Sequence, residues 1–149
     1  MGDLPRILEL VESAKSIMRS DGNLNQWKEG YPSRETIARD ISLGAGRMIG
    51  DHAYFAIFPS PDPTYSEIEG EWLDDGPYCV IHRIASTPGS HGVFSEIIGY
   101  AFANYSQVRI DTHEDNHIMR HLIESAGFTY CGIIHLANGD PRLAFQKNA

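Results

Sequence analysis

The sequence predicts a single α/β domain, a mixed β-sheet carrying helices, and three observations lead there. Residues 78–85, YCVIHRIA, are an apolar run with the length and β-rich composition of a buried strand. Thr87, Pro88, Gly89, Ser90 and Gly92 then build a loop that no regular element absorbs, after which Val93, Phe94, Ile97, Ile98 and Ala101 recur at helical spacing. Strand-like and helix-like segments alternate through the rest of the 149 residues, enough chain for one two-layer core and one domain, 1–149.

Taken in order, Asp3 ahead of Leu4-Pro5 opens the first helix as its N-cap, with proline in the first turn. Ile7, Leu8, Val11, Ala14 and Met18 give it an apolar face, and Asp21-Gly22 ends it. A loop with Asn25, Gln26, Trp27, Tyr31 and Pro32 leads to Ser33, the cap of a short second helix facing inward through Ile37 and Ile41. Residues 47–49 and 53–58 read as a hairpin around Gly50-Asp51-His52. Pro59, Pro61 and Pro63 remove three ladder donors, so the chain leaves the sheet as a rigid loop. Residues 67–73 are short and acidic, with Trp72 among them, and Asp74-Asp75-Gly76-Pro77 turns the chain into 78–85. Beyond the central helix, 107–112 is another buried strand. Asp115 or Asn116 opens a helix with Ile118, Met119, Leu122 and Ile123 inward, closed by Gly127. Residues 128–136 and 143–146 form a last hairpin around Asn138-Gly139, giving the order ααβββ-α-β-α-ββ.

Composition narrows the partners. Hydrophobic content of 42% with 21% charged residues is that of a soluble globular protein. A net charge of −8 without a basic patch argues against nucleic acid and anionic membranes and suits a cationic acceptor. The start is no signal peptide and no apolar run reaches membrane-spanning length, so a cytoplasmic location is expected. Cys79 and Cys131 sit in strand-like runs and read as buried reduced thiols. His113, His117 and His121 are spaced i, i+4, i+8, a metal-binding face on one continuous helix. A helix opening at Asp115 or Asn116 leaves His113 outside it, and no metal is expected.

The loop between the 78–85 strand and the next helix presents free backbone N–H groups and a partial positive charge, a seat for phosphate or pyrophosphate made without basic side chains. It is neither G-x-G-x-x-G nor a Lys-Ser/Thr phosphate loop. It resembles the pyrophosphate loop of the GNAT superfamily of N-acetyltransferases, Q/R-x-x-G-x-G/A, with Gly89 at the first position, Gly92 at the first glycine and Phe94 at the final small residue. IDTHEDNHIMRHLIESAGF is similar to the GNAT strand-to-helix segment, in which an Asn (here Asn116) opens the helix and Gly-Phe (Gly127-Phe128) follows it. HRIAS, Gly92-Val93-Phe94 and CGIIHLANGDPRLAFQK look like one branch of small bacterial members, and the resemblance spans residues 3–147.

That resemblance implies helices on both faces of a splayed mixed sheet, with acetyl-CoA as co-substrate. Backbone groups of Ile84 and Ala85 would hold pantetheine, Asn116 the chain leaving the cleft, and Gly89, Ser90, His91, Gly92, Val93, Phe94 and Ser95 the pyrophosphate. Trp27, Tyr31, Trp72 and Tyr78 would wall the acceptor pocket. Two departures stand out. Members usually begin with an edge strand, where this sequence goes directly into a helix, leaving the 47–49 strand an unpaired edge and a homodimer possible. Many also carry a tyrosine four residues before the helix-ending glycine as general acid, and here that position is Ile123.

Acetyl transfer to an amine also needs a base near the cleft. His82 is the first candidate, central on the strand that would carry the thioester, since a free imidazole titrates at about 6.5; a core histidine bonded to a neighbour is the plainer alternative. Asp111 and His113 follow, with helix capping as the alternative for both. The leading expectation is an N-acetyltransferase acting on a small-molecule or amino-acid-like amine, and the runner-up is a non-catalytic acyl-CoA-binding sensor.

Overall fold

The computed structural model describes residues 2–23, 26–27, 31–87 and 92–149. Among them the chain runs α1 (Leu4–Ser20), α2 (Arg34–Ser42), β1 (Gly46–Ile49), β2 (Ala53–Pro59), a 3-10 turn (Pro63–Tyr65), β3 (Glu69–Gly70), β4 (Cys79–Ser86), α3 (Val93–Asn104), β5 (Gln107–Thr112), α4 (His117–Ser125), β6 (Thr129–His135) and β7 (Pro141–Asn148). The order expected from sequence holds with one added strand, β3. Ser33 caps α2, its Oγ accepting the Thr36 N–H at 3.1 Å. Asp3 is a correction: its backbone is already helical and its side chain makes no cap bond, which leaves Pro5 as the local signal for α1. β3 reaches β6 only through glycine, because a Cβ on Gly70 would collide with the Cys131 carbonyl oxygen. No helix among the described residues is long and apolar enough to cross a membrane.

The described strands form one mixed sheet in the order β1-β2-β4-β5-β7-β6-β3, with β1 at an edge as expected. Every neighbouring pair is antiparallel except β4 and β5, which α3 connects as a crossover. Their pairing is short. Registered partners end at Ile81 with Ile110, although β4 continues to Ser86 and β5 to Thr112.

The other edge of β4 carries an irregularity at the same level. β2 pairs Ala56 with His82 and Tyr54 with Ala85, so Phe55 faces both Arg83 and Ile84. This is a β-bulge, and Arg83 takes it up at φ 56, where non-glycine residues are uncommon. Asp40 of α2 grips the Arg83 guanidinium twice, Nε to Oδ2 at 2.7 Å and Nη2 to Oδ1 at 2.5 Å, and accepts the Tyr54 hydroxyl at 3.0 Å. The extra residue also shifts the strand's alternation, so that Ala85 packs with Tyr54 under α1.

Helices cover both faces. α3 and α4 close one over Phe55, Ile57, Ile81, Ile110 and Phe145, with Phe94, Ile97, Ile123 and Phe128 filling the interface. On the other face, α1 and α2 cover Tyr54 and Ala85, while Tyr65 from the proline-rich connection packs on Tyr78, Val80, Ile134 and Ala144.

Asp40→Ala would leave the Arg83 guanidinium and the Tyr54 hydroxyl buried without their acceptor. We expect unfolding free energy to fall by about 3–5 kcal/mol, the usual cost of breaking one side of a buried pair, read as a lower urea midpoint at unchanged slope. A loss under about 1 kcal/mol would give the pair only the weight of a surface contact.

Candidate functional site

Two spaces meet where β4 and β5 part. A cavity of about 480 Å³ opens on the α1/α2 face, with His82, Arg83 and Ile84 of β4 on one wall and Ile110 and Asp111 of β5 on another. Trp27, Tyr31, Asp40, Asp62 and Arg142 are among its other polar and aromatic lining residues. A groove of about 380 Å³ follows Ile84, Ala85, Ser86 and Thr87 to Gly92, Val93, Phe94 and Ser95, walled by Ile17 of α1 and by Ile118 and Leu122 of α4. Met18, Ile84, Asn116 and Met119 line both, so the two adjoin.

Backbone chemistry dominates the groove. Beyond Ile81, the edge of β4 that faces β5 has no strand partner among the described residues, and Ile84 and Ala85 lie on that stretch. α3 starts at Gly92, φ 73, with no side-chain cap, and its first helical bond runs from Glu96 N–H to Gly92 O. The helix therefore gives no partner to the N–H groups of Val93, Phe94 and Ser95, and its dipole adds partial positive charge there. Val93 and Phe94 bury their side chains, Phe94 against Phe128 at 6.4 Å, which leaves their backbones to the groove. Gly89, Ser90 and His91 lie outside the described residues.

Asn116 is a strut as well as a lining residue. Its Oδ1 accepts the Met119 N–H at 3.0 Å, capping α4, and its Nδ2 donates to Gln26 Oε1 at 2.9 Å. Gln26 Oε1 also accepts from Thr112 Oγ1 at 3.0 Å and from the His113 N–H at 3.2 Å, tying the end of β5 to the segment before α2.

The cavity gathers titratable groups from distant parts of the chain. Asp62 Oδ2 lies 3.0 Å from His82 Nε2, and Asp62 Oδ1 accepts from the Thr64 N–H at 2.9 Å and the Thr64 hydroxyl at 2.7 Å. Burial alone would raise the Asp62 carboxyl, but the bonds from His82 and Thr64 outweigh it and hold it at about 2. An ionised carboxylate only accepts, so His82 carries its proton on Nε2 and keeps a lone pair on Nδ1 when neutral. Across the cavity, the Tyr65 hydroxyl donates to Asp111 Oδ2 at 2.6 Å. Burial first, then the Asp111 charge, pushes the Tyr65 phenol well above its ordinary range, so it remains a donor. The Tyr65 ring meets His82 edge-on at 6.3 Å.

Three expectations are corrected. His113 does not line the cavity: its Nδ1 accepts the Asp115 N–H at 3.0 Å, making it part of the turn before α4 and separating it from His117 and His121. Trp72 and Tyr78 do not line it either, because they clasp the buried Arg109 guanidinium at 4.1 and 3.8 Å to the ring centroids, behind Tyr65. Trp27 is buried on the cavity wall, and Tyr31, 41% exposed, accepts a hydrogen bond from Arg83 Nη1 at 3.2 Å. Ile123 is wholly within the core, and Tyr130 packs outside on Phe145 at 5.6 Å, lining neither space. Sequence reading missed Asp62, Tyr65 and Arg142. Asp62-x-Thr64 has an Asx-turn pattern, which marks a turn without disclosing a histidine 20 residues away.

No protein-family model matches the chain, and no curated protein matches it. Solved structures do. A GNAT-family acetyltransferase from Streptococcus agalactiae 2603 is 32% identical, with a TM-score of 0.88 over 99% of this chain and 91% of that one. One from Listeria monocytogenes 4b F2365 is 18% identical, with a TM-score of 0.68 over 99% and 90%. Arabidopsis thaliana NAA60, solved in complex with acetyl-CoA, is 13% identical, with a TM-score of 0.55 over 94% and 93%. The last two likenesses show the fold alone.

An ordinary aspartate titrates at about 3.9, so Asp62 lends stability that is present above about pH 4 and lost as pH falls through about 2. We expect Asp62→Asn to be less stable than the parent at pH 6 and the gap to narrow toward pH 2. Carboxyl NMR should place the Asp62 midpoint near 2 and show it rising in His82→Ala; an unmoved midpoint would assign the depression to Thr64.

Proposed function

The chain belongs to the GNAT family of acetyltransferases, and on that premise we propose that it transfers an acetyl group from acetyl-CoA to the amine of a small-molecule or amino-acid-like acceptor. The observation that carries this reading is the meeting of the two spaces beside Ile84, one lined by strand edge and helix N-terminus, the other by an imidazole and carboxylates.

On this reading pantetheine runs along the free edge of β4 at Ile84 and Ala85, and the pyrophosphate sits on the N–H groups from Gly92 to Ser95. The thioester reaches the junction, where a backbone N–H donor holds the carbonyl oxygen; such a donor is typically worth about 10²–10³ in rate. The acceptor enters the cavity as an ammonium ion. His82 Nδ1 takes its proton, with Asp62 fixing the tautomer, and Asp111 is the second candidate for that role. The free amine adds to the thioester carbon, and the tetrahedral intermediate expels CoA thiolate while its nitrogen gives up a second proton to water. Ile123 supplies no proton to it, and the described groove residues include no phenol, imidazole or thiol, so water protonates the thiolate. That same lack of an acid favours a second reading, an acyl-CoA sensor without turnover.

Gly92 separates charge from strain. At φ 73 any side chain is strained, and Asp and Asn are both among the residues that tolerate it best. By calorimetry Gly92→Asp should bind CoA at least about tenfold more weakly than Gly92→Asn, as a charge set against a phosphate seat requires; equal affinities would remove the phosphate assignment.

Acceptor-dependent thiol release separates transferase from sensor. We expect its rate to climb with pH as the base is freed, and His82→Ala to abolish the climb. A limb that survives the substitution transfers the role to Asp111, and tight acetyl-CoA binding with no release above background favours the sensor.

A further inference from the structure

The acceptor cavity holds a second charge of opposite sign. Arg142 of β7 lines it while only 5% exposed. Its Nη1 donates to Pro141 O at 2.9 Å and its Nη2 to Gln26 O at 3.1 Å. These are neutral carbonyls, and among the described residues no Asp or Glu forms an ion pair with it. The other cations of the wall differ. Arg83 is engaged by Asp40 and Tyr31, and Arg39 stands exposed at the rim. The direct bonds of Arg142 go to neutral carbonyls, while the charges of Asp111 and Asp140 lie near it without an ion-pair contact to it, so an anion brought against it gains a charge-assisted bond. Three of its five N–H donors remain beyond the two bonds above.

The anion's place is set by the sheet. Asp111 pairs directly with Ala144 across β5 and β7, which puts Arg142, two residues along, on the same face as its diagonal neighbour. Asp111 lines the cavity too, with only Oδ2 engaged by Tyr65. The floor therefore presents a carboxylate and a guanidinium side by side, the complement of a molecule bearing ammonium and carboxylate on one carbon atom. A planar guanidinium matches a carboxylate in a two-pronged fork, which a single carbonyl of an amide cannot reproduce.

We propose that Arg142 anchors the carboxylate of the acceptor, so that the acceptor is a free α-amino acid and not a peptide N-terminus, whose α-carboxyl is already an amide. The proposal rests on the acetyl-transfer reading above. In it Arg142 touches the acceptor away from the reacting atoms and governs binding more than turnover.

The test compares each of the twenty L-amino acids with its carboxamide, by thiol release and by calorimetric titration into CoA-saturated protein. The best acid should exceed its carboxamide about 10- to 100-fold, as a charge-assisted bond to a buried partner predicts, and the difference should lie in KM with kcat nearly kept. Arg142→Met should erase the preference, and Arg142→Lys, which keeps the charge and loses the fork, should keep part of it. Unchanged acetyl-CoA affinity certifies the fold of each variant; should Arg142→Met not fold, the Arg142→Lys series and the parent's acid-to-amide ratio decide. Equal use of acid and carboxamide by the parent, a preference that persists undiminished in the variants, or no binding by any acid overturns the proposal. Failure of the underlying reading looks different: acetyl-CoA does not bind and no thiol is released, whatever the acids do.

Discussion

The hydrogen-bonded register between β4 and β5 ends after three pairs, at Ile81 with Ile110, and both spaces of the site open beyond that limit. Two parallel strands that could continue to pair would normally do so, since each unpaired backbone group buried from water is costly. Here the neighbour on the other side intervenes. β2 takes up two β4 residues against one of its own, and the strand bends where Arg83 adopts φ 56. A non-glycine residue there costs of order 1–3 kcal/mol and persists only when its surroundings over-determine it. The two-pronged grip of Asp40, itself fixed by Tyr54, supplies that constraint. One buried ion pair thus holds the bend beside which the sheet opens.

The charges around the opening are each tethered differently. Asp40 is engaged by Arg83, Asp62 by His82 and Thr64, and Asp111 by Tyr65. On the proposed reading these carboxylates attract an ammonium group, yet their negative charge favours keeping the amine protonated. An imidazole resolves the conflict because it can accept the proton without first being an anion. Asp62 contributes by orientation: its ionised carboxylate fixes which ring nitrogen is left basic. That is why a loop interrupted by prolines, which contributes only Pro59 and β3 to the sheet, nevertheless shapes the chemistry.

The elements were legible where a local pattern encodes them. The apolar run of β4, the helical spacing of α3, the Ser33 cap and the Asn116 cap all lie within a few residues of their partners. So was the uncapped start of α3, because a helix opening after a glycine is a local feature. What local pattern cannot carry is a partner far along the chain. His82 reads as a strand residue until Asp62 is beside it, and Arg142 as a solvated hairpin residue until Gln26, 116 positions away, covers it. Trp72 and Tyr78 were misplaced for a related reason. Nothing near Arg109 in sequence shows that its charge is buried, and a buried cation draws aromatic faces to itself.

The position of Ile123 follows from where proton transfer is needed. A thiol titrates at about 8.5 and an alkyl ammonium near 10.4, so on the proposed reading the two ends of the reaction make unequal demands. Thiolate leaves as an anion close to neutral pH without much penalty, whereas the amine must surrender a firmly held proton before it can attack. A general acid at the thiolate end is therefore the dispensable partner, and a base at the amine end is not. The chain distributes its residues accordingly. The groove is lined largely by apolar side chains and by the backbone at the start of α3, with Ile123 given over wholly to the core. His82, Asp62 and Asp111 stand on the other side of Ile84, where the acceptor would lose its proton.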